Sequence, residues 1–199
     1  MAVREADRLR LILQQFPTSA KADVRALLRS ELRRGLDLGE NPLVVAKRIS
    51  KRSGFSLVRA QTIARTEMMH AEWVRTARDF GGDRTVTAWQ WQTTSSNPCE
   101  VCAVLEGRTM PRDEPLNSHP NCRCTMVPVV VGLKAPISRG QSGPSKIRRM
   151  SHAKRTALLG PRRADFVKNG GDPESLLTTT THPVYGTRFI LRPVTDLTI

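Results

Sequence analysis

Five side chains hold most of the chemistry this sequence can offer: four cysteines and one histidine, all between positions 99 and 124. Cys99 and Cys102 form a C-x-x-C pair, His119 precedes Cys122 by three residues, and Cys124 follows two residues later. A C-x-x-C knuckle presents two thiolates from one tight turn, and H-x-x-C presents an imidazole and a thiolate from another. Together they make the mixed nitrogen and sulfur set that zinc takes in tetrahedral geometry. Five candidates compete for four places, so either Cys122 or Cys124 completes the set with the other beside it. Asn97-Pro98 before the first pair and Pro120-Asn121 inside the second segment are turn-forming dipeptides, which suits ligands presented from loops.

Two other fates for these cysteines have to be weighed. Two disulfides would need an oxidising compartment, and the N-terminal MAVREADRLRLILQQF shows no apolar run backed by a small-residue cleavage site. Burial as plain core explains a single cysteine, but not two close pairs with a histidine nearby. A structural zinc ion is therefore the expected cofactor, with Cys99, Cys102, His119, Cys122 and Cys124 as candidate ligands. No carboxylate base stands beside an open coordination position, so no catalytic residue is expected and the protein reads as a non-enzyme.

The elements that must position these ligands follow from periodicity and punctuation. Arg4 to Phe16 reads as a helix with Leu9, Ile12 and Leu13 as its stripe, closed by Pro17. Thr18 or Ser19 caps a second helix through Val24, Leu27, Leu28 and Leu32, interrupted by Gly35 and Gly39. Asn41-Pro42 starts a third, with Val45 and Ile49 inward and Gly54 at its end. Ser56 caps the longest, about Leu57 to Phe80, whose inner face is Ala60, Ile63, Ala64, Met68, Ala71, Val74 and Ala77. Arg65 and Glu67 fall on different sides of it and do not pair with each other.

After Gly81-Gly82 the composition turns to Thr, Val and Trp. Thr85 to Thr93 reads as a strand with Thr87, Trp89 and Trp91 on one face and Val86, Ala88 and Gln90 on the other. The two tryptophans could stack nucleic-acid bases or anchor a small core under the metal site, and the core is the favoured reading. A helical turn over Ala103 to Leu105 stops at Gly107, a Pro-rich loop leads to His119, and Thr125 to Val131 forms a strand that Pro128 places at an edge. Lys134 to Met150 reads as a basic Pro/Gly/Ser linker. Beyond it come a helix over Arg162 to Lys168, a second one from Asp172-Pro173 to near Leu177, and a strand over Arg188 to Leu191. His152 and His182 have no ligand partners nearby in sequence.

The expected fold is α+β: N-terminal helices packed on a small zinc-stapled, β-containing lobe, followed by a small C-terminal α/β tail. The expected division is a helical region over 1–56, a core with the knuckles over 57–133, the linker over 134–150 and a C-terminal region over 151–199. At 199 residues and 39% hydrophobic with few aromatics, the core is modest, and a structural metal would supplement it. Lys and Arg number 32 against 18 acids, a formal charge of +14 that points to a polyanion, most simply non-specific double-stranded DNA. No apolar stretch approaches the roughly 20 residues of a spanning helix, so no membrane association is expected.

Arg65-Thr66-Glu67 on a helix, then a Trp-bearing strand, then C-x-x-C-x-x-L-x-G, then H-P-N-C-R-C occur in this order between about Asn41 and Val131. This series resembles the phage head morphogenesis family, the phage Mu F-like minor head proteins of tailed phages. The later L-G-x-x-R segment, followed by a helix and Gly, resembles tails found after the zinc region in such proteins. The resemblance implies a non-enzymatic minor capsid protein acting in head morphogenesis at or near the portal and the packaged DNA. Its implied partners are the portal protein and other capsid proteins. Its implied place is the virion, in the capsid interior or at the portal vertex, and the host cytoplasm during assembly. It also implies that Arg65 and Glu67 contact the zinc-bearing lobe.

Two alternatives remain on the sequence. A zinc-stapled HNH-like nuclease needs a histidine base beside a separate divalent-metal site. His119-Pro120-Asn121 is the one segment that imitates such a site, it lacks a preceding Asp-His pair, and Glu100, Glu106, Asp113 and Glu114 are scattered. A DNA-binding zinc protein would need a recognition helix after the knuckles, and none with a readable contact set follows.

Overall fold

The structure is a computed structural model and describes residues 18–182 and 186–197. The helix expected over Arg4 to Phe16 lies outside the described residues. Seven α-helices and two small sheets are present among the described residues, an α+β fold. They divide into two compact units.

The first unit is helical. It contains α1 (Thr18–Asp37), α2 (Pro42–Ser53), the first part of α3 (Leu57–Gly82), and the loop Asn117–Cys122. Asn41 caps α2 by accepting the Leu43 amide, Pro42 occupies the first turn, and Gly54 ends the helix in the left-handed region at φ 74°. Leu28, Leu32, Val45, Ile49, Phe55 and Ile63 are among the buried residues that form one core. Each such side chain, taken fully out of water, contributes about 1.5–3 kcal/mol before entropy is counted. Gly35 does not interrupt α1, which runs on to Asp37. A Cβ built there would stand 2.4 Å from Val45 Cγ2 and 3.3 Å from Met68 Cε. The glycine is there so that neighbouring helices can close on α1, and that tertiary need outweighs its helix-breaking entropy. Over the same core Glu31, 3% exposed, takes Arg48 Nε at 2.6 Å and Arg52, while Arg48 also grips Glu40 through both terminal nitrogens.

The second unit is built on β1 (Val86–Gln92), the middle strand of the order β2-β1-β3, with β2 over Thr109–Pro111 and β3 over Thr125–Val130. Both neighbours run antiparallel; Trp89 faces Met110 on one side and Pro128 on the other. Pro128 thus sits on an edge strand, where its missing N–H costs no ladder bond. A register shift between Val86 and Ala88 takes Thr87 off the tryptophan face into solvent, with its hydroxyl donating to the Val129 carbonyl at 3.0 Å. Trp89 and Trp91 are 0% and 1% exposed with ring centroids 6.0 Å apart, so they form core and offer no face to a base.

The opposite face of β1 is covered as well. Gln90 is buried and donates to the carbonyls of Gly107 and Ile137, while Ile137 N–H donates to Gln90 Oε1 at 2.8 Å. The stretch 134–150, though largely exposed, is thus anchored at Ile137 and through the buried Gly143, Pro144 and Ile147. It holds a 3₁₀ turn (Arg139–Gln141) and α5 (Gly143–Arg149), which packs on α4 (Glu100–Leu105). A Cβ on Gly143 would lie 1.9 Å from the Ala103 carbonyl oxygen, so only glycine lets the two helices approach this far. Then come α6 (His152–Leu159), which the sequence reading did not include, α7 (Pro161–Lys168), a 3₁₀ turn (Pro173–Leu176), and the hairpin β4 (Leu177–His182) and β5 (Gly186–Leu191).

Candidate metal centre

The first ligand pair is presented by the start of a helix. Cys99 is the N-cap of α4 with extended backbone angles (φ −66°, ψ 162°), and its sulfur accepts the Cys102 amide at 3.5 Å. An N–H aimed at sulfur is the kind of outer contact that orients a metal thiolate. The cap geometry turns both side chains the same way: three residues on, Cys102 lies one helical turn along, 2% exposed.

His119 and Cys122 come from a reverse turn. Cys122 N–H donates to the His119 carbonyl at 3.3 Å, Pro120 is the second residue, and Asn121 is the third at φ 64°. Proline before a left-handed residue is the type II arrangement, and Asn121 is the one non-glycine residue with positive φ among those described. The turn is pinned from α3. Arg65 Nη1 donates to Asn121 Oδ1 at 2.9 Å, and Asn121 N–H donates to Thr66 Oγ1 at 2.9 Å. His119 Nδ1 lies 2.8 Å from the Pro120 carbonyl. A carbonyl only accepts, so Nδ1 carries the proton and the lone pair of the neutral ring is on Nε2, the state in which a histidine ligates.

Cys124 stands where β3 begins, 4% exposed, and its carbonyl accepts the indole N–H of Trp73 at 3.0 Å. The candidate ligand atoms are close together. Those of Cys99, Cys102 and His119 lie within 4.8 Å of one another, and so do those of Cys102, Cys122 and Cys124. Donors bound at 2.0–2.3 Å around a tetrahedral ion stand roughly 3.3–3.8 Å apart, which lies inside that 4.8 Å limit. The set of thiols and an imidazole suits a borderline or soft cation rather than calcium or magnesium. All five residues expected from the sequence belong to one of the two groups, and they can hold a metal ion.

The carboxylates near the knuckles are not gathered with them. Glu106 pairs with Lys146 Nζ at 2.8 Å and accepts the Thr93 hydroxyl at 2.6 Å. Glu114 contributes its main-chain carbonyl to the Trp89 indole at 2.8 Å. His152 lies on the surface beside Asp165 at 3.5 Å. Of the residues around the ligands, Arg65 was expected to act there, whereas the parts played by Thr66 and Trp73 became visible only in three dimensions. Trp73 lies about two and a half turns before the helix end, on a flank outside the apolar stripe.

The family model described as Phage Mu protein F like protein matches residues 26–127. That is just over half the chain, and the chain belongs to this family: it is a phage Mu F-like head morphogenesis protein. The matched span takes in the pinned turn and both cysteine pairs. No curated protein and no solved structure matches the chain. Membership places the chain with phage head components, a generally structural, non-enzymatic group associated with the capsid. No helix among the described residues is long and apolar enough to cross a membrane.

Proposed function

We propose that this protein is a non-catalytic minor capsid protein of a tailed phage, working at or near the portal vertex and the packaged genome, with residues 57–133 as its zinc-stapled assembly core. The observation that carries this is the gathering of Cys99, Cys102, His119, Cys122 and Cys124 into two overlapping ligand groups, inside the span that matches the family. Zinc is the ion assigned because two or three thiolates with one imidazole is its structural ligand chemistry. Its binding energy is folding energy, since no preformed site exists in the unfolded chain. Either Cys122 or Cys124 completes the set.

The role follows from what the site lacks. An enzyme needs convergent titratable groups about an open position, whereas here Glu106 is committed to Lys146 and Thr93. In a phage complementation assay Cys99→Ser should yield defective or non-infectious heads, and purified wild-type protein should carry about one zinc per chain. A Cys99→Ser protein that stays folded and supports normal infectivity refutes the reading. Retained zinc with infectivity abolished by Asp113→Ala or Glu114→Ala in a folded protein would move a nuclease ahead of it.

A further inference from the structure

The surplus of positive charge is not spread evenly along the chain. Residues 73–133 carry six basic and six acidic side chains, whereas residues 134–192 carry twelve basic and three acidic. Most of the latter belong to α5, α6 and α7: residues 143–168 hold eight cations and one carboxylate, Asp165. This segment lies beyond the family-matched residues 26–127.

Two of the eight cations turn inward and make the scaffold. Arg155, 7% exposed, donates from Nε to the Ile147 carbonyl and from Nη2 to the carbonyls of Arg148 and Met150, which ties α6 to the C-terminal end of α5. A guanidinium there answers both the orphan carbonyls and the negative end of the helix dipole. Arg163 donates to the Arg192 carbonyl at 2.8 Å. Helices α6 and α7 pack against each other across a single connecting residue, Gly160 at φ 79°.

The other six, Lys146, Arg148, Arg149, Lys154, Arg162 and Lys168, are exposed. Lys146 pairs with Glu106, and Arg148 pairs with Asp172 across the surface. Among the described residues no carboxylate pairs with Arg149, Lys154, Arg162 or Lys168. Three short helices, knitted by a buried arginine, thus hold four uncompensated cations on a fixed frame, so a polyanion would bind without the cost of ordering a tail.

The residue types narrow the polyanion. Residues 143–168 contain no Asn or Gln to read adenine and no Glu to read cytosine, and their one Phe, Tyr or Trp, Phe166, is buried, which leaves the His152 imidazole beside Asp165 as the exposed ring. What remains is Arg and Lys, which can reach guanine edges but go most often to phosphate, so contact with the backbone is the mode this set favours. We propose that α5–α7 is the surface through which this protein holds double-stranded DNA by its backbone, without reading sequence; the inference rests on the genome-proximal role proposed above.

The test is binding of full-length, zinc-loaded protein to duplex DNA of random sequence over a salt series. Each phosphate contact contributes about 0.9 to the slope of log affinity on log salt. The variant R149A/K154A/R162A/K168A should lose about 3 to 4 of that slope, with its affinity deficit greatest at low salt and shrinking as salt rises. A control removing equal charge from exposed sites on α1 and α2, R33A/R34A/K47A/K51A, should keep the slope. K154A/K168A alone should lose about half as much, which keeps the test decisive if the fourfold variant folds poorly. Equal losses in the variant and the control would show diffuse attraction and overturn the surface. Wild-type protein that binds no duplex overturns both the surface and the genome-contact reading, whereas binding untouched by the α5–α7 changes overturns the surface alone.

Discussion

Asn121 offers the sharpest perturbation of the candidate metal centre, because one residue holds the turn that presents both His119 and Cys122. Its φ of 64° is a conformation in which a Cβ costs about 1–2 kcal/mol, with asparagine the cheapest exception after glycine. Part of that cost is offset here by the bond from Arg65 Nη1 to Asn121 Oδ1 at 2.9 Å, worth about 1 kcal/mol at an exposed position. Asn121→Ala takes on the Cβ strain that asparagine largely escapes and loses the bond as well, so it should destabilise by about 2–3 kcal/mol. Asn121→Gly loses the same bond but relieves the strain, and should cost under about 1 kcal/mol. For a chain of this size the two differ by roughly 4–8 °C in melting temperature. Zinc affinity, measured by competition with a chromogenic chelator, should fall in the same order: wild type, then glycine, then alanine. Alanine and glycine variants with equal melting temperatures and equal zinc affinities would show that the left-handed turn does not set the ligand geometry, and the reasoning would fail.

Other outcomes follow from the same structure. The hydrogen bond from Arg48, joined by Arg52, holds the Glu31 carboxyl below the usual carboxylate range against the opposing effect of burial. Its stabilisation is thus present above the ordinary carboxylate range and is lost as pH falls through the depressed native value. Glu31→Gln should cost about 2 kcal/mol near neutrality, moderated because Arg48 and Arg52 are partly exposed, and should flatten the loss of stability on acidification in a pH series of urea melts. Gly143→Ala should cost about 3 kcal/mol or more, since its Cβ would meet the Ala103 carbonyl oxygen at 1.9 Å, and calorimetry should show the melt roughly 10 °C lower. An unchanged melt would mean that α5 is not seated on α4.

Much of this protein was legible in its sequence because local physics wrote it there. The C-x-x-C and H-x-x-C spacings name a metal-ligand chemistry without reference to anything distant, and Pro120-Asn121 specifies its own turn. Asn41-Pro42, Gly54 and Ser56 marked helix ends through caps that involve only neighbouring residues. Pro128 marked an edge strand because a missing N–H has meaning wherever it falls.

What needed the tertiary structure was everything decided by a partner far along the chain. Gly35 reads as a helix breaker until Val45 and Met68 are seen pressed against it, where the same missing Cβ becomes a packing requirement. Residues 134–150 look like a linker by composition, yet Gln90, 47 positions before Ile137, takes up both backbone groups of that residue, and Gly143 lets α5 close on α4. The faces of β1 could not be assigned from alternation, because a bulge shifts the register and both sides are covered. Thr66 and Trp73 carry no ligand chemistry; they matter because α3 brings a hydroxyl to Asn121 and an indole N–H to the Cys124 carbonyl. Spacing can name the atoms that would touch a metal, but the groups that aim those atoms are chosen by the long-range packing of the chain, which leaves no period in the sequence.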